Sequence, residues 1–299
     1  MLIAVGCGYP PLASSVPQDS SDVDGDAGIP CDPLGRFSTP EPLGGLSSSE
    51  FRQMSGSLSP DERTIYLWRE IDDINNDIYI ATRARVTDDF SPPEPLMGGV
   101  RTEQSETEPW VSPTGYTLLF SSHPKGPIHI QRVTRPTLED PFYPPLEDLS
   151  GEDTSAAAYR TPYVTSDGEE LWFVSDRGGE AGMLDVWRRA KSGDGFSSPV
   201  LVTELSSPSP EMYPVLTADK LTIYISSTRP HGMGRYDIWR AHRSMSSEAF
   251  SEPEPVPELN TTSDDRATWL SPDGCRLYLS SDHDRAMGFN DVFVARARR

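Results

Sequence analysis

Lysine is almost missing from this chain: it occurs only at Lys125, Lys191 and Lys220, so nearly every basic side chain is arginine. Forked guanidinium donors suit fixed hydrogen bonds between packed elements, although codon bias in the source genome would produce the same skew. Bases as a whole are scarce, 26 against 46 acids, for a formal charge of −20. Such a field repels nucleic-acid backbone and anionic lipid, so neither is expected as a partner, and its plain consequence is solubility. No apolar run reaches the about 18 residues of a membrane-spanning helix. Cys-x-x-Cys, His-Glu-x-x-His, Gly-x-Ser-x-Gly and a phosphate loop are all lacking, which removes the usual nucleophilic, metal and nucleotide chemistries. His123, His129, His231, His242 and His283 show no metal-ligand spacing, and no cofactor or metal is expected.

What the chain does have is a repeat. Ser271-Pro272-Asp273-Gly274 reads as a turn, with Pro at its second position and Gly in the left-handed conformation that follows. Equivalent turns begin at Ser59, Ser112, Thr165 and Thr217, at steps of 53, 53, 52 and 54 residues. A fixed period of this size signals a propeller or a solenoid. Leu58, Val111, Val164, Leu216 and Leu270 precede the turns. Short apolar runs follow them at 65–67, 118–120, 171–173, 223–225 and 277–279. They are too short for helices and are bounded by turn residues, so they read as strands.

A third strand starts at Asp77, Ile128, Asp185, Asp237 or Asp291, with Pro127 standing where the second repeat should carry its Asp. These aspartates read as caps on the tight loop before them. The fourth strand begins at Phe37, Phe90, Phe196 or Phe250, with a shorter version at Phe142. Its prolines remove ladder donors, which places it on an outer edge and protects that edge from aggregation. The first edge strand precedes any complete repeat and the last repeat lacks one. Residues 37–46 should therefore complete the blade of residues 264–297. The expected fold is all-β: a five-bladed propeller of four-stranded antiparallel blades over 36–299, closed by an N-terminal outer strand. At 299 residues, a chain that buries roughly three quarters of its unfolded surface has a sufficient core.

The set of turns, Leu277-Tyr278-Leu279-type strands and Asp291-Val292-Phe293-type strands resembles the WD40-like β-propeller repeat of TolB-type periplasmic proteins, in the propeller part alone. The resemblance implies an envelope binding protein.

Residues 1–7 resemble the end of a secretion signal closing on a bacterial lipobox, with Gly6 before a lipid-bearing Cys7, although Ala4 and the missing charged start depart from the pattern. The alternative is a short N-terminus with a stray thiol. Residues 8–35, rich in Pro, Ser, Asp and Gly, read as a flexible linker. Asp22 to Asp26 has the look of a calcium loop, but Ala27 and Pro33 stand where Gly and Glu are needed. With Cys7 lipidated, Cys31 and Cys275 remain, and in an oxidising compartment a bridge between them is expected. Cys31 enters the closing edge strand from the end at which Cys275 leaves its turn.

The loops between strands two and three, and the entries to each inner strand, emerge at one face of the ring. They carry Arg69, His123, Arg177, Arg229, His231, Asp282, His283 and Arg285, and Glu108, Arg160, Glu211, Tyr213, Asp265 and Arg266. One reading makes this a binding face around the channel mouth. The competing reading has Arg177 and its equivalents pairing between blades. The first points to a non-catalytic, monomeric, envelope-tethered module for a protein or glycan partner, touching membrane only through its lipid. An alternative is a glycosidase using two of Glu108, Glu211, Asp265 and Asp282. A third is a purely structural ring.

Overall fold

The computed structural model describes residues 31–32, 34–48, 51–71, 75–123, 126–150, 158–178, 183–283 and 291–298. Five antiparallel sheets form five blades. The first comprises β2 (Gln53–Leu58), β3 (Thr64–Glu70), β4 (Asn76–Thr82) and β5 (Glu94–Pro95); the second β6 (Ser105–Val111), β7 (Thr117–His123), β8 (His129–Thr134) and β9 (Tyr143–Asp148). The third comprises β10 (Tyr159–Val164), β11 (Glu170–Ser175), β12 (Asp185–Ser192), β13 (Gly195–Phe196) and β14 (Val200–Leu201). The fourth has β15 (Glu211–Leu216), β16 (Thr222–Ser227), β17 (Asp237–His242) and β18 (Glu254–Pro255). The fifth has β19 (Asp265–Leu270), β20 (Arg276–Ser281) and β21 (Asp291–Arg296), and its outer strand is β1 (Glu41–Pro42). Each inner strand lies against the next, and β19 lies against β2, so the ring is closed.

The turn works as its sequence demands. Its fourth residue is left-handed in every blade: Gly115, Gly168 and Gly274 at φ 72–74°, Glu62 at 57° and Lys220 at 62°. The two side chains that accept this strain each reach the preceding blade. Lys220 Nζ lies 2.6 Å from Asp167 Oδ2. Glu62 is buried and takes Arg276 Nε at 2.7 Å and the Tyr278 hydroxyl.

A second device holds the blades from outside. In three blades the aromatic that opens the Pro-rich edge segment packs on a strand-two aromatic of the preceding blade: Phe37 on Tyr224 at 5.9 Å, Phe142 on Tyr66 at 6.4 Å and Phe250 on Trp172 at 6.2 Å between ring centres. Arg83, Arg135 and Arg243 cover Phe90, Phe142 and Phe250, and each donates Nε to the carbonyl of the left-handed turn residue. This is where much of the arginine goes.

Two blades depart from expectation. In the second, the loop between β7 and β8 is short, and His129, opposite Ser122, takes the register position that aspartate holds opposite Ser175, Ser227 and Ser281 elsewhere. Its Nδ1 turns to Asp148 Oδ2 at 2.8 Å. Pro127 is therefore not the substitute for that aspartate. The outer strand of this blade, expected to be short, runs Tyr143–Asp148, and its pairing is irregular around its prolines. In the third, Phe196 falls in a small hairpin, β13, and the edge itself is β14.

Closure follows the expected register, with Glu41 opposite Val294 and Pro42 opposite Phe293. Phe37 bridges to Ala297 and is buried. Cys31 and Cys275 form the disulfide, with Cα atoms 5.3 Å apart across a sequence separation of 244. The chain thus joins the ring ahead of Arg36, and Arg240 Nη1 holds the Leu34 carbonyl at 2.9 Å. Cys7 lies outside the described residues.

Paired Cys31→Ser and Cys275→Ser should cost about 2–4 kcal/mol, lowering the melting temperature by roughly 5–15 °C in calorimetry. Glu62→Gly leaves Arg276 and Tyr278 without their buried partner and should cost about 2 kcal/mol despite relieving strain. Lys220→Gly loses only a partly exposed pair and should stay within about 1 kcal/mol of the parent. Urea titrations of the two variants check the contrast, and equal losses would refute it.

Candidate functional site

The opening residues of the inner strands sit where the chain arrives from the preceding blade's edge, and their side chains tie down that arrival. Gln53 donates to the Leu46 carbonyl. Glu106 accepts from Thr102 Oγ1, Glu211 from Ser207 Oγ at 2.5 Å, and Asp265 from Thr261 N and Oγ1 at 2.6 and 2.8 Å. Arginines at the end of strand two or just after it complete the arrangement. Arg69 Nε donates to Gln53 Oε1 at 2.8 Å, and Arg229 Nη2 to Glu211 Oε1 at 2.8 Å and to the Leu205 carbonyl at 2.7 Å. Their guanidinium planes cover strand-three aromatics: Arg69 on Tyr79, Arg177 on Trp187 and Arg229 on Trp239, at 5.3–5.5 Å. Arg69, Arg177, Arg229, Glu211 and Asp265 thus have roles in joining strands and blades.

One step further along the inner strands the chain does something else. Glu108, Thr161 and Tyr213 are left-handed at φ 57°, 47° and 53°, each followed by a proline, and the ladder register shifts across each. A bulge of this kind re-aims side chains, and for β-branched Thr161 the conformation is a genuine outlier. The cost of such strain is of order 1–3 kcal/mol per residue, and it concentrates at functional places.

These bulges gather side chains from several blades at the axis. Tyr213 of the fourth blade donates to Met54 Sδ of the first at 3.7 Å, across the channel, and Met212, Trp68 and Tyr236 pack around them. Glu108 Oε2 accepts from Ser121 Oγ at 2.7 Å and Thr161 N at 2.9 Å, while Arg160 Nη2 stands 3.2 Å from its Oε1. Arg266 lies over the Tyr236 ring at 4.4 Å and reaches Asp264 at 3.1 Å. His123 is linked to Thr107 Oγ1 at 2.8 Å, and burial pulls its pKa down, which favours the neutral ring. Glu108 in turn holds Arg160 firmly charged.

Of the residues read from the sequence as a binding face, the axial group therefore contains Glu108, Arg160, Tyr213 and Arg266, with His123 beside it. His231 is exposed and left-handed at φ 76°, on the rim of the fourth blade. Asp282 accepts from Asp264 N at 2.8 Å, and His283 N donates to Ser281 Oγ. Arg285 lies outside the described residues. Thr161 and Tyr236 were missed. The sequence signal for Thr161 was the Pro at 109, 162 and 214, three places before the turn; Tyr236 had none. Among the described residues, no group of three His, Cys, Asp or Glu side chains could hold a metal ion.

Burial pushes Glu106 and Glu211 up to about 7 and raises Asp265 as well. The folded state thus binds more protons than the unfolded one between about pH 4.3 and 7, and these groups lose stability as pH rises through that window. Asp61 and Asp167 are shifted down instead, by hydrogen bonds that outweigh their desolvation, and act only below about pH 4. Melting temperatures of the parent and Glu106→Gln, measured from pH 5 to 7.5, should show a flatter profile in the variant. An unchanged profile would remove Glu106 from this account.

No protein-family model and no curated protein matches this chain. Solved structures do. A thermostable family-43 glycoside hydrolase superposes with a TM-score of 0.59 at 14% identity, over 87% of this chain and 92% of its own. The endo-arabinase of Bacteroides thetaiotaomicron gives 0.58 at 15%, over 88% and 98%. A putative TolB from Agrobacterium tumefaciens gives 0.50 at 14%, over 86% and 78%. The chain spans 57% of the length of the TolB of Acinetobacter baumannii, at 19% identity and a TM-score of 0.49. At such identities the likeness is one of fold alone.

Proposed function

We propose that this chain is a non-catalytic binding module, which presents the loop-rich end of its propeller to a protein or glycan partner of the cell envelope. The observation that carries this reading is the fate of the carboxylates. A glycosidase needs two carboxyl groups facing a sugar about 5–10 Å apart. Glu211 and Asp265 are fully buried and bonded to the segments that arrive from the preceding blades. Asp282 caps the Asp264 amide, and Glu108 accepts from Ser121, Thr161 and Arg160. Carboxylates engaged in this way hold strands together, and a repeat feature recurring from blade to blade is a poor acid–base pair.

On the same end, Met183, Met233 and Arg235 are exposed, the Arg235 side chain to 80%. Apolar side chains beside a guanidinium suit an interface that gains from both contact and orientation. The Cys31–Cys275 disulfide fits an oxidising compartment, and a lipid on Cys7 would tether the ring to a membrane surface. The module acts as a monomer, without cofactor.

Hydrolysis is the second reading, favoured by the superposition on glycoside hydrolases. Affinity capture from envelope extract should retain a specific partner on the parent chain and lose it on Met233→Asp with Arg235→Glu. A polysaccharide panel should show no hydrolysis. Turnover that vanishes in Glu108→Gln would replace the binding reading with the second one.

A further inference from the structure

The axial cluster contains donors that its own neighbours leave unused. Among the described residues, Arg160 Nε, Thr161 Oγ1 and Arg266 Nη1 are buried and have no hydrogen-bond partner. Arg266 is only 8% exposed and Thr161 5%. An unsatisfied buried donor costs about 1–3 kcal/mol, and more when it is charged. Three at one place, on two adjacent inner-strand positions beside the bulges, need an account.

All three belong to one locus. Arg160 and Thr161 are consecutive, and Arg160 pairs with Glu108, which also receives the Thr161 amide. Arg266 stacks on Tyr236. Arg160 and Arg266 both act on the hydroxyls of Tyr213 and Tyr236, opposing the rise that burial imposes on each. Arg266 lies on Tyr236, which packs with Tyr213 and Met54, and β10, which carries Arg160, lies against β15, which carries Tyr213. Each guanidinium already has a carboxylate on one side, Glu108 or Asp264. Each keeps an N–H on another side, and the Tyr213 hydroxyl meets only a thioether, a weak acceptor.

We propose that this locus at the propeller axis is a carboxylate-binding site, in which Arg160, Arg266 and Thr161 donate to one carboxylate group of the ligand. A planar anion with two acceptor oxygens matches guanidinium donors better than any neutral acceptor does. It also supplies acceptors to the N–H groups that Glu108 and Asp264 leave unused. The proposal deepens the binding-module reading and rests on it.

The test is titration of the full chain with sodium acetate, glucuronate and N-acetylalanine at constant ionic strength, followed by calorimetry and by intrinsic tryptophan emission. The parent should bind at least one saturably, acetamide should not bind, and Thr161→Val and Arg266→Gln should weaken binding by about tenfold or more. Tighter glucuronate would mark a sugar acid as the source, and tighter N-acetylalanine a peptide carboxyl end; either order supports the site. Flat titrations with all three, meaning that water alone serves these donors, or undiminished binding by both variants, would overturn it. Should Arg266→Gln fail to fold, the near-isosteric Thr161→Val decides alone. Carboxylate binding without partner capture would sink the module reading and keep the site, and capture without carboxylate binding would do the reverse.

Discussion

A ring of radial sheets is stable only if its last member grips its first. Away from the axis each blade packs on its two neighbours, so an open array would leave two apolar faces in water. Here the seam between the fifth and first blades is secured at three radii. At the outer edge, β1 supplies the strand that β21 lacks, and the Cys31–Cys275 bridge holds β1's approach to the turn. Between the sheets, buried Glu62 joins Arg276 and the Tyr278 hydroxyl. Near the axis, β19 lies directly against β2.

The same constraint shapes the interior. Bringing several inner strands together at one axis leaves little room for a regular ladder, and bulges at Glu108, Thr161 and Tyr213 adapt them to it. Side chains that a straight strand would direct between sheets are turned to the axis instead. There, Tyr213 meets Met54 across the channel, and Glu108, Arg160 and Arg266 form a small polar centre. Most other charges on this end serve construction. Arg229 and Glu211 illustrate this: one guanidinium joins a strand, an incoming loop and an aromatic ring in a single place.

Arginine and aromatic residues therefore do two kinds of work in one scaffold. In the outer layers, guanidinium groups cover phenylalanine rings and close turns, as Arg83, Arg135 and Arg243 do. At the axis, Arg160 and Arg266 each pair with a carboxylate and keep one further N–H. An acidic surface with so few lysines is consistent with this division, because a point charge on a flexible stem cannot replace a planar fork that bonds and stacks at once.

The local rules were all readable in the linear chain. Turn chemistry, two-residue alternation and edge prolines act over a few residues, so their period identified the strands, the number of blades and the N-terminal closing strand. The cysteine pairing followed from that topology. What the chain alone left open was which polar residues of one face serve the frame and which serve a site. Arg229 and Arg160 are indistinguishable by residue type and general address, yet one bonds within its blade region and the other points donors to the axis. The difference is set by a one-residue bulge and by neighbours some fifty residues away. His129 shows the same limit: its place opposite Ser122 depends on how a short loop closes. Such choices depend on distances across the ring, and these exist only once the ring has formed.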